Sequence, residues 1–162
     1  MASVPNHSEP VDRLSTGTTQ LVEVHFEDLD PTGMLHNSRY LLMLERAVTA
    51  FWLSQGWHYD PARSAFADSV QVVRSQTITY HQPIVEPGRY AVRFWVDRVG
   101  NSSYTYGYRI LSPEHSSLHA EGSRVQVNLD SATLTPKPLS EALRKIATQL
   151  TDDGADQSAA AS

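Results

Sequence analysis

Between Leu21 and Phe26 apolar and polar residues alternate, with Val22, Val24 and Phe26 on one side and Glu23 and His25 on the other. A period of two marks a half-buried strand, so a first strand is expected there. The period then lengthens. Tyr40, Leu44, Ala47, Val48 and Phe51 recur at three- and four-residue spacing, and Leu41 and Trp52 widen the stripe almost all round. That pattern predicts a heavily buried helix over Arg39 to Gln55, with Asn37 or Ser38 placed to cap its N-terminus.

Four further strands are expected over Val70 to His81, Arg89 to Val99, Ser103 to Leu111 and Leu118 to Leu129, separated by Pro83, Pro87-Gly88, Gly100-Asn101 and Pro113. Tyr90, Val92, Phe94 and Val96 share one face of the third strand, and Tyr104, Tyr106, Tyr108 and Ile110 share one face of the fourth, as antiparallel partners would. Leu139, Leu143, Ile146 and Leu150 then outline a short amphipathic helix, with Pro138 and Ser140 near its start. A strand, a long buried helix and four strands joined by tight turns imply an α+β fold with a five-stranded antiparallel sheet and a helix on one face. One helix cannot cover such a sheet, and long edges invite pairing, so a homodimer or homotetramer is expected. Residues 1–18 and 151–162 lack apolar periodicity and read as tails around one domain over 19–150.

Composition narrows the function by exclusion. The chain has 162 residues, a formal charge of −5 and no Lys/Arg run, so neither nucleic acid nor an anionic membrane surface is implied as a partner. It has no cysteine, which removes disulfides, thiolate nucleophiles and Cys-ligated zinc. Its seven histidines are scattered, His115 and His119 alone standing four apart, and no metal is expected. The start of the chain lacks the apolar stretch of a signal peptide, so a cytoplasmic location is expected. No phosphate loop, His-Glu-x-x-His or Gly-x-Ser-x-Gly occurs. Asn101-Ser102-Ser103 matches a glycosylation sequon and reads as an ordinary turn.

What remains is Asp30-Pro31-Thr32-Gly33, in an irregular connection running into the N-terminus of the buried helix. The first turn of a helix offers unpaired N–H donors and the positive end of the dipole, which suit a polarised carbonyl. An aspartate beside such donors can attack that carbonyl or activate a water. The plain alternatives are an Asx turn for Asp30 and a helix cap for Asn37. Glu45 shares a helix face with Leu41, Val48 and Trp52; burial there would suit an acid or base, whereas a pairing with Arg46, Arg39 or another surface cation would be structural.

The run from Glu23 to Tyr40, with its core Phe26-Glu27-Asp28-Leu29-Asp30-Pro31-Thr32-Gly33, resembles the opening signature of acyl-CoA thioesterases of the 4-hydroxybenzoyl-CoA thioesterase type. Tyr80-His81-Gln82-Pro83, Val99-Gly100-Asn101-Ser102-Ser103 and Lys137-Pro138 extend the likeness over most of the body. The resemblance implies the hotdog fold, in which a five-stranded antiparallel sheet wraps a long central helix. It implies hydrolysis of an acyl thioester, carried by coenzyme A or an acyl-carrier protein, to free acid and thiol. No separate cofactor is then expected, because coenzyme A or phosphopantetheine is part of the substrate. Asp30 matches the family's catalytic carboxylate, the N–H near Asn37 matches the donor to the thioester carbonyl, and Glu45 completes the candidate catalytic set. Gly33, His36, Arg39, Tyr40 and Ser103 are the substrate-binding candidates, Arg39 through a coenzyme A phosphate. Many relatives have histidine where Asn37 stands, and others have Asn-x-x-Tyr; here the histidine is His36. The alternatives within reach are a hotdog hydratase or dehydratase, and a non-catalytic acyl-thioester-binding protein.

Overall fold

The computed structural model describes residues 16–151. The chain forms strand β1 (Thr18–Val24), a single 3-10 turn (Phe26–Asp28), helix α1 (Asn37–Ser54), strands β2 (Val70–Tyr80), β3 (Gly88–Val99), β4 (Ser103–Leu111) and β5 (Leu118–Leu129), and helix α2 (Glu141–Gln149). All pairings are antiparallel and the sheet order is β1-β3-β4-β5-β2. The α+β fold with five antiparallel strands is the one the periodicity predicts. Among the described residues no helix is long and apolar enough to cross a membrane.

The sheet register explains the core. Phe94 pairs with Tyr108, Val92 with Ile110 and Val96 with Tyr106, so their side chains fall on one face, and all six are fully buried beneath α1. Tyr106 is anchored there by the indole of Trp52, whose Nε1 donates to its hydroxyl at 2.5 Å. Burial pushes the Tyr106 hydroxyl up to about 12, so it stays protonated at every ordinary pH.

Three boundaries differ from expectation, each for a local reason. The first strand ends at Val24, because the Asp28 carboxylate accepts from the His25 N–H at 2.9 Å and turns the chain into the 3-10 turn. Phe26 therefore leaves the strand and stands 79% exposed. The cap of α1 is neither Asn37 nor Ser38 but His36, whose Nδ1 accepts from the Ser38 N–H at 3.3 Å, making Asn37 the first helical residue. The last helix starts at Glu141, after Ser140, whose hydroxyl and N–H both donate to the buried Asp68. Nor is α1 enclosed all round: Glu45, Arg46, Ala50 and Leu53 are exposed in the single chain. Most of the expected tails lies outside the described residues, and Thr18 already belongs to β1.

At one of the two edges of the sheet, β2 runs for 11 residues, pairs among the described residues only with β5 and leaves Val72, Val73 and Tyr80 exposed.

Candidate active site

Asp30 sits in a tight loop that its own carboxylate organises. Its Oδ1 accepts from the Thr32 N–H at 2.8 Å, the Thr32 hydroxyl at 2.5 Å and the Met34 N–H at 3.3 Å. Its backbone closes the same loop, with the N–H donating to Met34 O and the carbonyl accepting from Gly33 N. Gly33 takes φ 77°, the left-handed conformation this turn requires. The plain Asx-turn reading of Asp30 is thus correct, and it does not exclude chemistry. All three hydrogen bonds go to Oδ1, so Oδ2 accepts from no described group. The bonds from Thr32, its hydroxyl foremost, hold the carboxyl below the usual aspartate range, and Asp30 is ionised at neutral pH.

The loop delivers the chain to α1. Leu35 is buried, with its N–H on Ile84 O at 2.8 Å, and the His36 N–H reaches Asp28 O at 3.3 Å. His36 then satisfies two of the helix's first donors, Ser38 N through its ring and Arg39 N through its carbonyl. The Asn37 N–H has no acceptor among the described residues. It is an open donor at the positive end of an 18-residue helix.

Asp30, His36, Asn37 and Tyr40 are brought together, since all four line one open groove of about 470 Å³. Met34 and Leu35 belong to the same wall, and Tyr80, His81, Gln82 and Pro83 form the other. Tyr40 joins the walls from below. Its hydroxyl accepts from Ile84 N at 3.2 Å, its ring packs edge-on against Tyr80 at 5.1 Å, and burial pushes its hydroxyl up. The Tyr80 hydroxyl donates to Asn37 O at 3.3 Å, tying the strand to the helix end.

The remaining candidates lie elsewhere. Arg39, expected at a phosphate, has its Nε 3.7 Å from the buried carboxylate of Asp28. Glu45, read either as a partly buried acid or base or as the partner of a surface cation, has a side chain 54% exposed and does pair with a cation, Arg124, which is itself only 4% exposed, at 2.6 Å. That pair adjoins a second cavity of about 320 Å³, lined by Glu45, Trp52, Trp57, Gln71 and Tyr104 among others. Ser103 opens β4 seven residues before Ile110, whose partner Ala120 pairs with Tyr80. Within one chain it is therefore about 23 Å along the sheet from the groove.

Sequence reasoning gave His81 no role and did not single out Glu121, Asp28 or Arg124. His81 lines the groove, and its Nε2 is 3.0 Å from Glu121 Oε1. A signal existed only in hindsight: His81 and Glu121 are 40 residues apart and meet through the register that pairs Tyr80 with Ala120. Among the described residues no group of three or more His, Cys, Asp or Glu is arranged to hold a metal ion.

A profile of the Thioesterase-like superfamily matches residues 24–146. The chain is 24% identical over 123 residues to the acyl-CoA thioester hydrolase YbgC of Escherichia coli O157:H7, covering 75% of this chain and 89% of that one. Among solved structures it superposes on the PA5185 protein of Pseudomonas aeruginosa with a TM-score of 0.75 at 22% identity, covering 85% of this chain and 94% of that one. It also superposes on a 1,4-dihydroxy-2-naphthoyl-CoA thioesterase from Synechocystis with a TM-score of 0.71 at 18% identity, covering 82% and 96%.

Proposed function

The chain belongs to the thioesterase-like superfamily, and on that premise we propose that it hydrolyses acyl-CoA thioesters to the free acid and coenzyme A in the groove at the N-terminus of α1. One observation carries the reading: an ionised carboxylate with a free oxygen and an open helical N–H share that groove. The thioester carbonyl oxygen accepts from the Asn37 N–H, which faces the charge that develops as the carbonyl becomes tetrahedral. Asp30 Oδ2 holds a water and takes its proton as the water oxygen bonds to the carbonyl carbon. The C–S bond then breaks with its electron pair on sulfur, which takes up a proton and departs as the thiol, while Asp30 returns the water's proton to solvent. Coenzyme A enters as part of the substrate, and the steps call for no other cofactor. The names of the relatives, an acyl-CoA thioester hydrolase and a 1,4-dihydroxy-2-naphthoyl-CoA thioesterase, support this substrate class.

A dimer paired along β2 is part of the same proposal. That strand is an edge of the sheet whose last residue, Tyr80, lines the groove, it is long, and its exposed apolar residues suit a partner strand. The cytoplasmic location expected from the sequence belongs to it as well. Free thiol is followed over a panel of short, long, branched and aromatic acyl-CoAs, with wild type and Asp30→Asn. The reading expects release with at least one acyl group and its loss in the variant; no release with any, or an undiminished variant, refutes it.

A further inference from the structure

His81 lines the groove together with Asp30 and is paired with a carboxylate, that of Glu121. His81 follows directly on β2, with its backbone fixed by an N–H to His119 O bond at 2.9 Å. Its Nε2 meets Glu121 Oε1 at 3.0 Å, while the other oxygen of Glu121 accepts from Arg109 Nε at 3.2 Å. Arg109 in turn lies 6.0 Å over the Trp95 ring. The carboxylate is thus held from behind, so it orients the imidazole rather than following it. With Nε2 on Glu121, Nδ1 is the ring nitrogen that no described group engages.

Thioester hydrolysis has two proton events, one at the attacking water and one at the departing sulfur. Asp30 serves the first, on the loop wall. We propose that His81, held by Glu121, serves the second as general acid, an assignment that rests on the thioesterase reading above. As the C–S bond breaks, its electron pair stays on sulfur and the Nδ1 proton of the His81 imidazolium passes to it. Asp30 then releases the water's proton to solvent and His81 takes one back, so the sum is thioester plus water to acid plus thiol. His36, the other histidine of the groove, is less suited to this work. Its Nδ1 is engaged by the Ser38 hydroxyl and N–H as the cap of α1. His81 has a carboxylate to share the imidazolium charge.

A general acid matters in proportion to how badly the leaving group needs its proton. Wild type, His81→Asn and Glu121→Gln are therefore compared on two thioesters of the same acid, one of coenzyme A, an alkyl thiol, and one of a more acidic aryl thiol. The ratio of the two kcat values is the readout, because it does not depend on how much of a variant is folded. His81→Asn is expected to lose about 100-fold in kcat with the coenzyme A ester and less than about threefold with the aryl ester. Glu121→Gln is expected to change the ratio in the same direction by about tenfold, as a positioning residue should. Equal losses on both esters, or no loss in His81→Asn, overturns the assignment while leaving the thioesterase reading intact. Absence of thiol release by wild type from a panel of acyl-CoAs overturns both.

Discussion

Two carboxylates, one in the loop that leads into α1 and one on the helix itself, are held in opposite ways. Asp30, at the N-terminal end, is fixed by donors two and four residues away, keeps one oxygen free and faces an open groove beside an unpaired N–H. Glu45, midway along the helix, is fixed by Arg124, 79 residues away, a guanidinium that is itself buried. The first carboxylate is held by its neighbours and available to a substrate. The second compensates a buried charge. On the function proposed above, the two carboxylates divide into a reacting group and a structural one according to which partner is buried.

This contrast can be broken in graded ways. The largest effect is expected from Asp30→Asn, which keeps the Oδ1 acceptor of the turn but removes the base: kcat for thiol release falls about 1000-fold, while the unfolding free energy in urea moves by less than about 0.5 kcal/mol. Glu45→Ala should do the reverse, destabilising the fold by about 2 kcal/mol because a buried guanidinium loses its counter-charge, with kcat nearly unchanged. Arg124→Met is expected to cost less than Glu45→Ala, under about 1 kcal/mol, since it removes the buried charge and leaves an exposed glutamate in water. If Arg124→Met proves the more damaging, the pair is not the compensation described here. The smallest effect is in pH. The Asp30 carboxyl titrates below 3.8, so what its ionised form contributes is present above that value and lost as pH falls through the lower folded one. The acid limb of kcat/KM should lie below 3.8, and Thr32→Val, which removes the foremost stabilising hydrogen bond, should move it upward; an unmoved limb assigns it to another group.

The same contrast explains what could be read in the sequence. The Asp30 loop was legible because its chemistry is local: Asx-Pro-x-Gly turn residues run straight into a helical period, and the structure builds that turn from those residues. The sheet was legible because alternation in the strands continues through to the buried tyrosines of β4. Phe26 was misread because it extends that alternation by one step, while the Asp28 side chain, not hydrophobicity, decides where β1 ends. Glu45–Arg124, Arg39–Asp28 and His81–Glu121 were not legible, since each partner is chosen by tertiary packing. Ser103 opens β4 and, within one chain, stands at the far end of the sheet from the groove, a separation that only the strand register reveals.

The central claim is that the thioester carbonyl sits on the Asn37 N–H, facing Asp30. An acyl-CoA analogue with a methylene in place of sulfur keeps the carbonyl and cannot be hydrolysed, so it can be held at saturation while backbone amides are observed by nuclear magnetic resonance. The account predicts that the Asn37 amide proton moves downfield, as a newly formed hydrogen bond requires, with the amides around Glu45 much less affected. A saturated complex in which the Asn37 amide does not move would contradict it.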